Sequence, residues 1–87
     1  MGKVILVTGG NRGIGLEICH QLAELGNEVI MGTRDLEKGK LAAEKLAMPI
    51  DVQALDVTNA DHIEKLAVYL AESYGSLDVL INNAGIG

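Results

Sequence analysis

The sequence predicts an α/β fold, half of a doubly wound parallel sheet with four strands in the order 3-2-1-4 and three helices. Three observations predict it. Short continuous apolar runs alternate with segments of helical period. A glycine-rich turn, Thr8-Gly9-Gly10-Asn11-Arg12-Gly13-Ile14-Gly15, directly follows the first apolar run. A second compact motif, Asn82-Asn83-Ala84-Gly85, closes the last run. The order β-α-β-α-β-α-β implies parallel strands joined by right-handed crossovers, with the fourth strand beside the first.

Each element has its own local cause. The apolar run Val4-Ile5-Leu6-Val7 places the first strand at residues 3–7, as a strand covered on both faces requires. Residues 12–25 read as a helix with Ile14, Ile18, Leu22 and Leu25 as its apolar stripe and Glu17, Gln21 and Glu24 off it. Gly26 stops that helix. Residues 28–33 are the second strand. Asp35 can cap a second helix running to about residue 47, with Leu36, Ala43 and Leu46 inward. Gly39 inside that helix is expected to lower its stability. Pro49 breaks the chain before a third strand at residues 51–55. Thr58-Asn59-Ala60-Asp61 resembles a capping box for the third helix. That helix has Ile63, Leu66, Ala67, Leu70 and Tyr74 on one stripe and ends at Gly75. Residues 77–82 are the fourth strand. With no repeat and no linker, residues 1–87 read as one domain.

Composition narrows the function. The 87 residues are 48% hydrophobic with no Phe and no Trp, so the core is aliphatic. Twelve acidic residues against seven basic give a net charge of −5, which offers no broad attraction to nucleic acid or an anionic membrane. The single cysteine, Cys19, excludes an internal disulfide and fits a reducing compartment. The start does not read as a signal peptide, and no apolar stretch is long enough to span a bilayer. The expected location is cytoplasmic. No metal site is expected. Cys19 and His20 are adjacent on one helix and face different directions, while His62 lies on another.

The glycine turn has the chemistry of a phosphate cradle. Gly9 lets the chain leave the strand in a tight turn. Gly13 lets backbone N–H groups approach a pyrophosphate, and Gly15 lets the helix sit close on the sheet. The helix N-terminus then presents N–H groups and a positive dipole end to the phosphates. A tight strand-to-helix turn with no ligand is the plain alternative, but the strand before and the helix after match the nucleotide context. No Gly-Lys-Ser/Thr follows, so the turn is not a P-loop.

Together the motifs resemble the N-terminal half of a classical short-chain dehydrogenase/reductase. Thr8-Gly9-x-x-x-Gly13-Ile14-Gly15 is similar to that family's cofactor motif. Asp56-Val57 resembles its adenine-contacting pair, and Asn82-Asn83-Ala84-Gly85 its signature after the fourth strand. The wording from Gly13 to Cys19 is similar to carbonyl-reductase-like members. The resemblance covers essentially all 87 residues. It implies a Rossmann dinucleotide-binding domain from an oxidoreductase that moves hydride between NAD(P)(H) and an alcohol or carbonyl carbon. It implies that Gly9, Asn11, Arg12, Gly13, Ile14 and Gly15 hold the cofactor. It also implies that Asp56 accepts from the adenine amino group and Val57 donates its backbone N–H. Asn83 is expected to tie the fourth strand to the first, and Ala84 and Gly85 to let the backbone approach the nucleotide.

The family's catalytic Ser and Tyr-x-x-x-Lys lie beyond the fourth strand. Four residues after Tyr69 is Ser73, and four after Tyr74 is Asp78, so neither tyrosine has the lysine. Both read as packing and helix-end residues. No catalytic residue is therefore expected among these 87, and the chain alone is expected to be inactive. The alternative is a non-catalytic nucleotide-binding or self-associating half-fold.

The resemblance also bears on cofactor choice. An NAD-preferring site commonly carries an acid at the end of the second strand, to accept from the ribose hydroxyls. Here that place reads Thr33-Arg34. Arginine pairs bidentately with a 2′-phosphate, and Arg12 adds a second positive charge from the turn. NADP(H) is therefore preferred over NAD(H). Asp35 has two readings, a ribose acid that favours NAD or a helix cap, and the cap is preferred. The fourth strand would be a bare edge. It is expected to pair with a second copy, directly or through the uncovered sheet face, or with a complementary C-terminal fragment.

Overall fold

The structure is a computed structural model and describes residues 2–11 and 13–83. Its elements are β1 (Val4–Thr8), α1 (Gly13–Glu24), β2 (Glu28–Thr33), α2 (Leu36–Leu46), β3 (Ile50–Ala54), α3 (Ala60–Tyr74) and β4 (Val79–Asn82). The four strands form one sheet in the order β3-β2-β1-β4, every neighbour pair parallel. This is the predicted topology, with strand ends shifted by one or two residues.

Alternation along the strands divides the core into two layers. Ile5, Val7, Val29 and Met31 face α1 and α2 and pack with Cys19, Ala23 and Ala43. Leu6 and Ile30 face the other way and pack with Leu55 and with Leu66 and Leu70 of α3. Val7, Ile30, Met31 and Cys19 are wholly excluded from solvent. Such central strands must be apolar on both faces, which explains the uninterrupted runs in the sequence.

The faces of the helices differ from the simple stripes. The inward face of α1 is Gly15, Cys19 and Ala23, with Leu16, Ile18 and Leu22 flanking it. Ile14 is 73% exposed and Leu25 is 69% exposed. The larger residues drew the predicted stripe one position away from the true contact line. A helix this close to the sheet puts its smallest side chains at the centre of the contact. Gly39 of α2 follows the same rule. A Cβ there would stand 2.6 Å from Thr33 Cγ2 and 2.9 Å from Val52 Cγ1. The glycine that lowers helix propensity is what lets α2 approach β2 and β3. Leu36, expected inward, is exposed at the start of α2.

The helix caps are partly as predicted. Asp35 caps α2, its carboxylate accepting from the Lys38 N–H at 3.2 Å. The cap of α3 is Asn59, not Thr58 of the expected box. Asn59 Oδ1 accepts from the N–H groups of Asp61 and His62 at 3.0 and 3.3 Å. On α3 the buried pair is Leu66 and Leu70, while Ile63 and Ala67 lie exposed beside it. These two line an apolar groove of about 470 Å³ that runs across the α3 face of the sheet to Leu77 and Leu80. Among the described residues no helix is long and apolar enough to cross a membrane.

Candidate cofactor site

Because all four strands run the same way, their C-terminal ends lie along one edge. The register pairs Thr8 with Gly32 and with Asn82, and Thr33 with Ala54. Gly9, Arg34, Leu55-Asp56 and Asn83 therefore leave the sheet side by side. In parallel α/β sheets, ligands bind at this edge, where the strand order reverses direction. Here the reversal falls between β1 and β4.

The bend after β1 is anchored where it leaves the strand. The Gly9 N–H donates to the Gly32 carbonyl at 2.8 Å. Gly9 and Gly13 have φ values of +63° and +58°, a region that disfavours any residue with a Cβ. Gly15 answers a different constraint. A Cβ there would meet the Gly9 carbonyl oxygen and Asn83 Nδ2, each at 2.5 Å. Gly15 is thus the point where helix, bend and the end of β4 touch. Gly10, which the sequence reading did not single out, is buried for a similar reason, since its Cβ would meet Cys19 Sγ at 2.9 Å.

The end of β4 is tied to β1 by side chains. Asn83 Nδ2 donates to the Gly9 carbonyl at 3.1 Å, and the Asn83 N–H donates to Thr8 Oγ1 at 2.9 Å. The Thr8 hydroxyl points to Asn82 Oδ1 at 3.2 Å. Asn83 was expected to bind the strands together, and it does. Thr8 is its counterpart. Its place at the head of the glycine motif was the only sequence signal for it.

Electrostatics single out α1. Its first turn holds no acidic residue. The N-termini of α2 and α3 carry Asp35 with Glu37, and Asn59 with Asp61. The positive end of α1 is left unneutralised by its own turn, which suits an external anion. Ile14 projects outward at this end.

Beyond β2, Arg34 is exposed and close enough to Asp56 to favour its ionised form. The Asp56 carboxyl is held below its ordinary range first by the Thr58 hydroxyl, then by the Thr58 backbone N–H. Both donate to Oδ1, at 2.6 and 2.9 Å. Among the described residues nothing donates to Oδ2, and the N–H of Val57, which is 40% exposed, has no acceptor. Those are the two groups expected to meet adenine. His62, expected to be simply solvated, instead accepts the Asp56 N–H on Nδ1 at 3.1 Å.

Several expectations fall elsewhere. Arg12, Ala84 and Gly85 lie outside the described residues. Asn11 sits in the bend, half-buried. Tyr69 and Tyr74 both donate to Asp51 Oδ2, at 2.6 and 2.8 Å, near the start of β3 and so at the opposite edge of the sheet. They are packing residues, as their sequence context predicted. Cys19 is a buried packing residue whose thiol is pushed up to about 11 by burial.

The sheet order, the glycine bend and the acid-free first turn of α1 define a class, the Rossmann-type α/β fold, whose ligands bind at the switch point. The family follows from comparison with known proteins. A family model described as short chain dehydrogenase matches residues 3–87, and the chain belongs to that family. It is 43% identical to (-)-isopiperitenone reductase of Mentha piperita, over 97% of this chain and 29% of the relative's length. The solved structure of salutaridine reductase from Papaver somniferum superposes with a TM-score of 0.90 at 42% identity, covering 95% of this chain and 30% of that one. A metagenomic short-chain oxidoreductase in complex with NADP superposes with a TM-score of 0.89 at 36% identity, covering 99% of this chain and 40% of that one. The chain thus spans about three tenths of the length of the curated relatives it matches.

Proposed function

We propose that this chain is the NADP(H)-binding portion of a short-chain dehydrogenase/reductase, an oxidoreductase that moves hydride between NADP(H) and an alcohol or carbonyl carbon. The observation that carries this is the edge where the Gly9–Gly15 bend, the acid-free first turn of α1, Arg34 and Asp56 converge. The fit is steric as well as chemical. The backbone of the bend is open at Gly13, where a Cβ would touch nothing within 4 Å, and closed at Gly15.

In this reading Gly9, Asn11, Gly13, Ile14 and Gly15 seat the pyrophosphate, with Arg12 beside them. Arg34 pairs with the 2′-phosphate. Asp56 and Val57 meet the adenine, and Asn83, Ala84 and Gly85 flank the ribose. The bound dinucleotide supplies the hydride chemistry. These residues bind and orient it, while the Ser and Tyr-x-x-x-Lys that handle the proton come from outside the 87. The cytoplasm, with its reduced thiols, suits the single buried cysteine. Names of relatives and NADP in a neighbouring structure support this reading.

Calorimetric titration tests it. NADP+ should bind and raise the melting temperature, as any native-state ligand does. Arg34→Asp should weaken NADP+ by roughly tenfold or more through loss of a charge-assisted phosphate contact, with NAD+ little affected. Unchanged affinity for both dinucleotides would remove the cofactor assignment.

A second reading, a self-associating half-fold, is favoured by the open groove beside α3, where Leu80 is 57% exposed. Its occupant would be a second copy or a complementary C-terminal segment. Sedimentation across a range of concentrations separates these. A monomer throughout, with NADPH oxidation regained on adding the C-terminal portion of a relative, supports the oxidoreductase reading.

A further inference from the structure

Asp56 opens a tight turn between β3 and α3. Its Oδ1 is occupied by both donors of Thr58, and its carbonyl accepts the Asn59 N–H at 2.8 Å. Its own N–H is the remaining polar group of its backbone, and that donates to His62 Nδ1 at 3.1 Å. His62 is half-buried in the first turn of α3, and its backbone is fixed in turn by the Asn59 cap. Nδ1 is the acceptor of that bond, so the ring turns this nitrogen toward the β3–α3 turn. The result is a chain of restraints from helix cap to imidazole to turn. It leaves two groups of this turn without a described partner, the Asp56 Oδ2 and the Val57 N–H.

One acceptor and one donor, adjacent and pre-set, match the edge of adenine that carries the 6-amino group and a ring nitrogen. We propose that His62 is a positioning residue for adenine, holding the Asp56–Val57 turn so that this pair faces the purine. The proposal rests on the cofactor reading above, and goes beyond it by assigning the adenine preference to a side chain that need not touch the ligand. Without the Nδ1 acceptor, the Asp56 N–H is left unpaired, and only the Thr58 and Asn59 bonds hold the turn, so the carboxylate and the Val57 N–H lose their fixed relation to one another.

The test compares NADP+ with its hypoxanthine analogue, which has a carbonyl oxygen in place of the 6-amino group and a hydrogen on the adjacent ring nitrogen, so that neither bond of the pair can form. Calorimetry on the 87-residue chain should show NADP+ preferred by roughly tenfold or more, at least the worth of one hydrogen bond to a charged acceptor. His62→Leu should bring that ratio close to one. His62→Asn, whose Oδ1 stands near the place of Nδ1, should keep it. His62→Gln is polar and tolerated in a helix but carries its acceptor one bond too far, and should lose it. General destabilisation would weaken both dinucleotides alike and leave their ratio intact. A ratio that survives in both His62→Leu and His62→Gln overturns the proposal, as does one lost equally in His62→Asn. If His62→Leu fails to fold, the Gln and Asn variants decide. If the wild-type chain binds neither dinucleotide, the cofactor reading itself fails. If it binds both equally, only the adenine assignment does.

Discussion

Gly15 shows how one missing methyl group can serve three elements. It sits where α1 leaves the bend, against the Gly9 carbonyl and the Asn83 amide. Both neighbours are fixed by hydrogen bonds, so neither can yield cheaply to a Cβ. Gly15→Ala should cost about 1–3 kcal/mol, the range for overpacking a tight site. It should also weaken NADP+ binding, because the same shift opens the bend. Urea unfolding with and without NADP+ measures both effects. A variant as stable as the parent would mean that α1 can slide away from the sheet.

Between elements, the least expected joint is at the far edge of the sheet. Asp51 on β3 receives the hydroxyls of Tyr69 and Tyr74 on one oxygen and Gln53 Nε2 on the other, at 2.7 Å. The tyrosine rings meet edge to face with centroids 6.4 Å apart. The carboxylate therefore fastens the second half of α3 to an edge strand. Asp51→Ala leaves both phenols without their acceptor and should cost about 2 kcal/mol. Hydrogen exchange should show the last turns of α3 opening before the sheet does. Equal protection in both proteins would assign the clamp to ring packing alone.

Legibility differed sharply between kinds of feature. Strand order, helix count and the glycine bend were readable, because continuous apolar runs and positive-φ glycines leave local marks. The inward face of α1 was not, because Ile14 and Leu25 outweigh Gly15 and Ala23 on any hydrophobic count, yet small residues define a close contact. The roles of Asp51 and His62 were also invisible. Asp51 depends on partners that α3 carries back to the sheet, and His62 on the shape of the turn that precedes its helix, and neither Asp56-to-His62 nor Asp51-to-Tyr69 spacing marks a local motif.

For the molecule as a whole, alkaline pH is the informative perturbation. Burial raises the Cys19 thiol from 9.0 to about 11. Burial and then the Asp51 carboxylate raise Tyr74, and the bond to Asp51 raises Tyr69. In each case the folded chain holds its proton more tightly than the unfolded chain. The stabilisation is complete below the unfolded value and is lost as pH rises through the folded one. For Cys19 this amounts to about 3 kcal/mol, lost between about pH 9 and pH 11. Melting temperature should thus fall steadily above about pH 9, and Cys19→Ala should fall less steeply. Parallel curves for the two proteins would place the thiol in contact with water.

The tie between Asn83 and Gly9 spans 74 positions of the chain. The bend's own glycines are in place within the first fifteen residues, but their final shape waits on the last strand. Closing so long a loop is slow and entropically opposed. The proposed anion seat is therefore completed only when β4 has paired with β1. A ribosome-bound chain that has not yet released β4 would carry every glycine of the motif and still lack the finished bend. Capture of a dinucleotide would then report that this part of the sheet has closed.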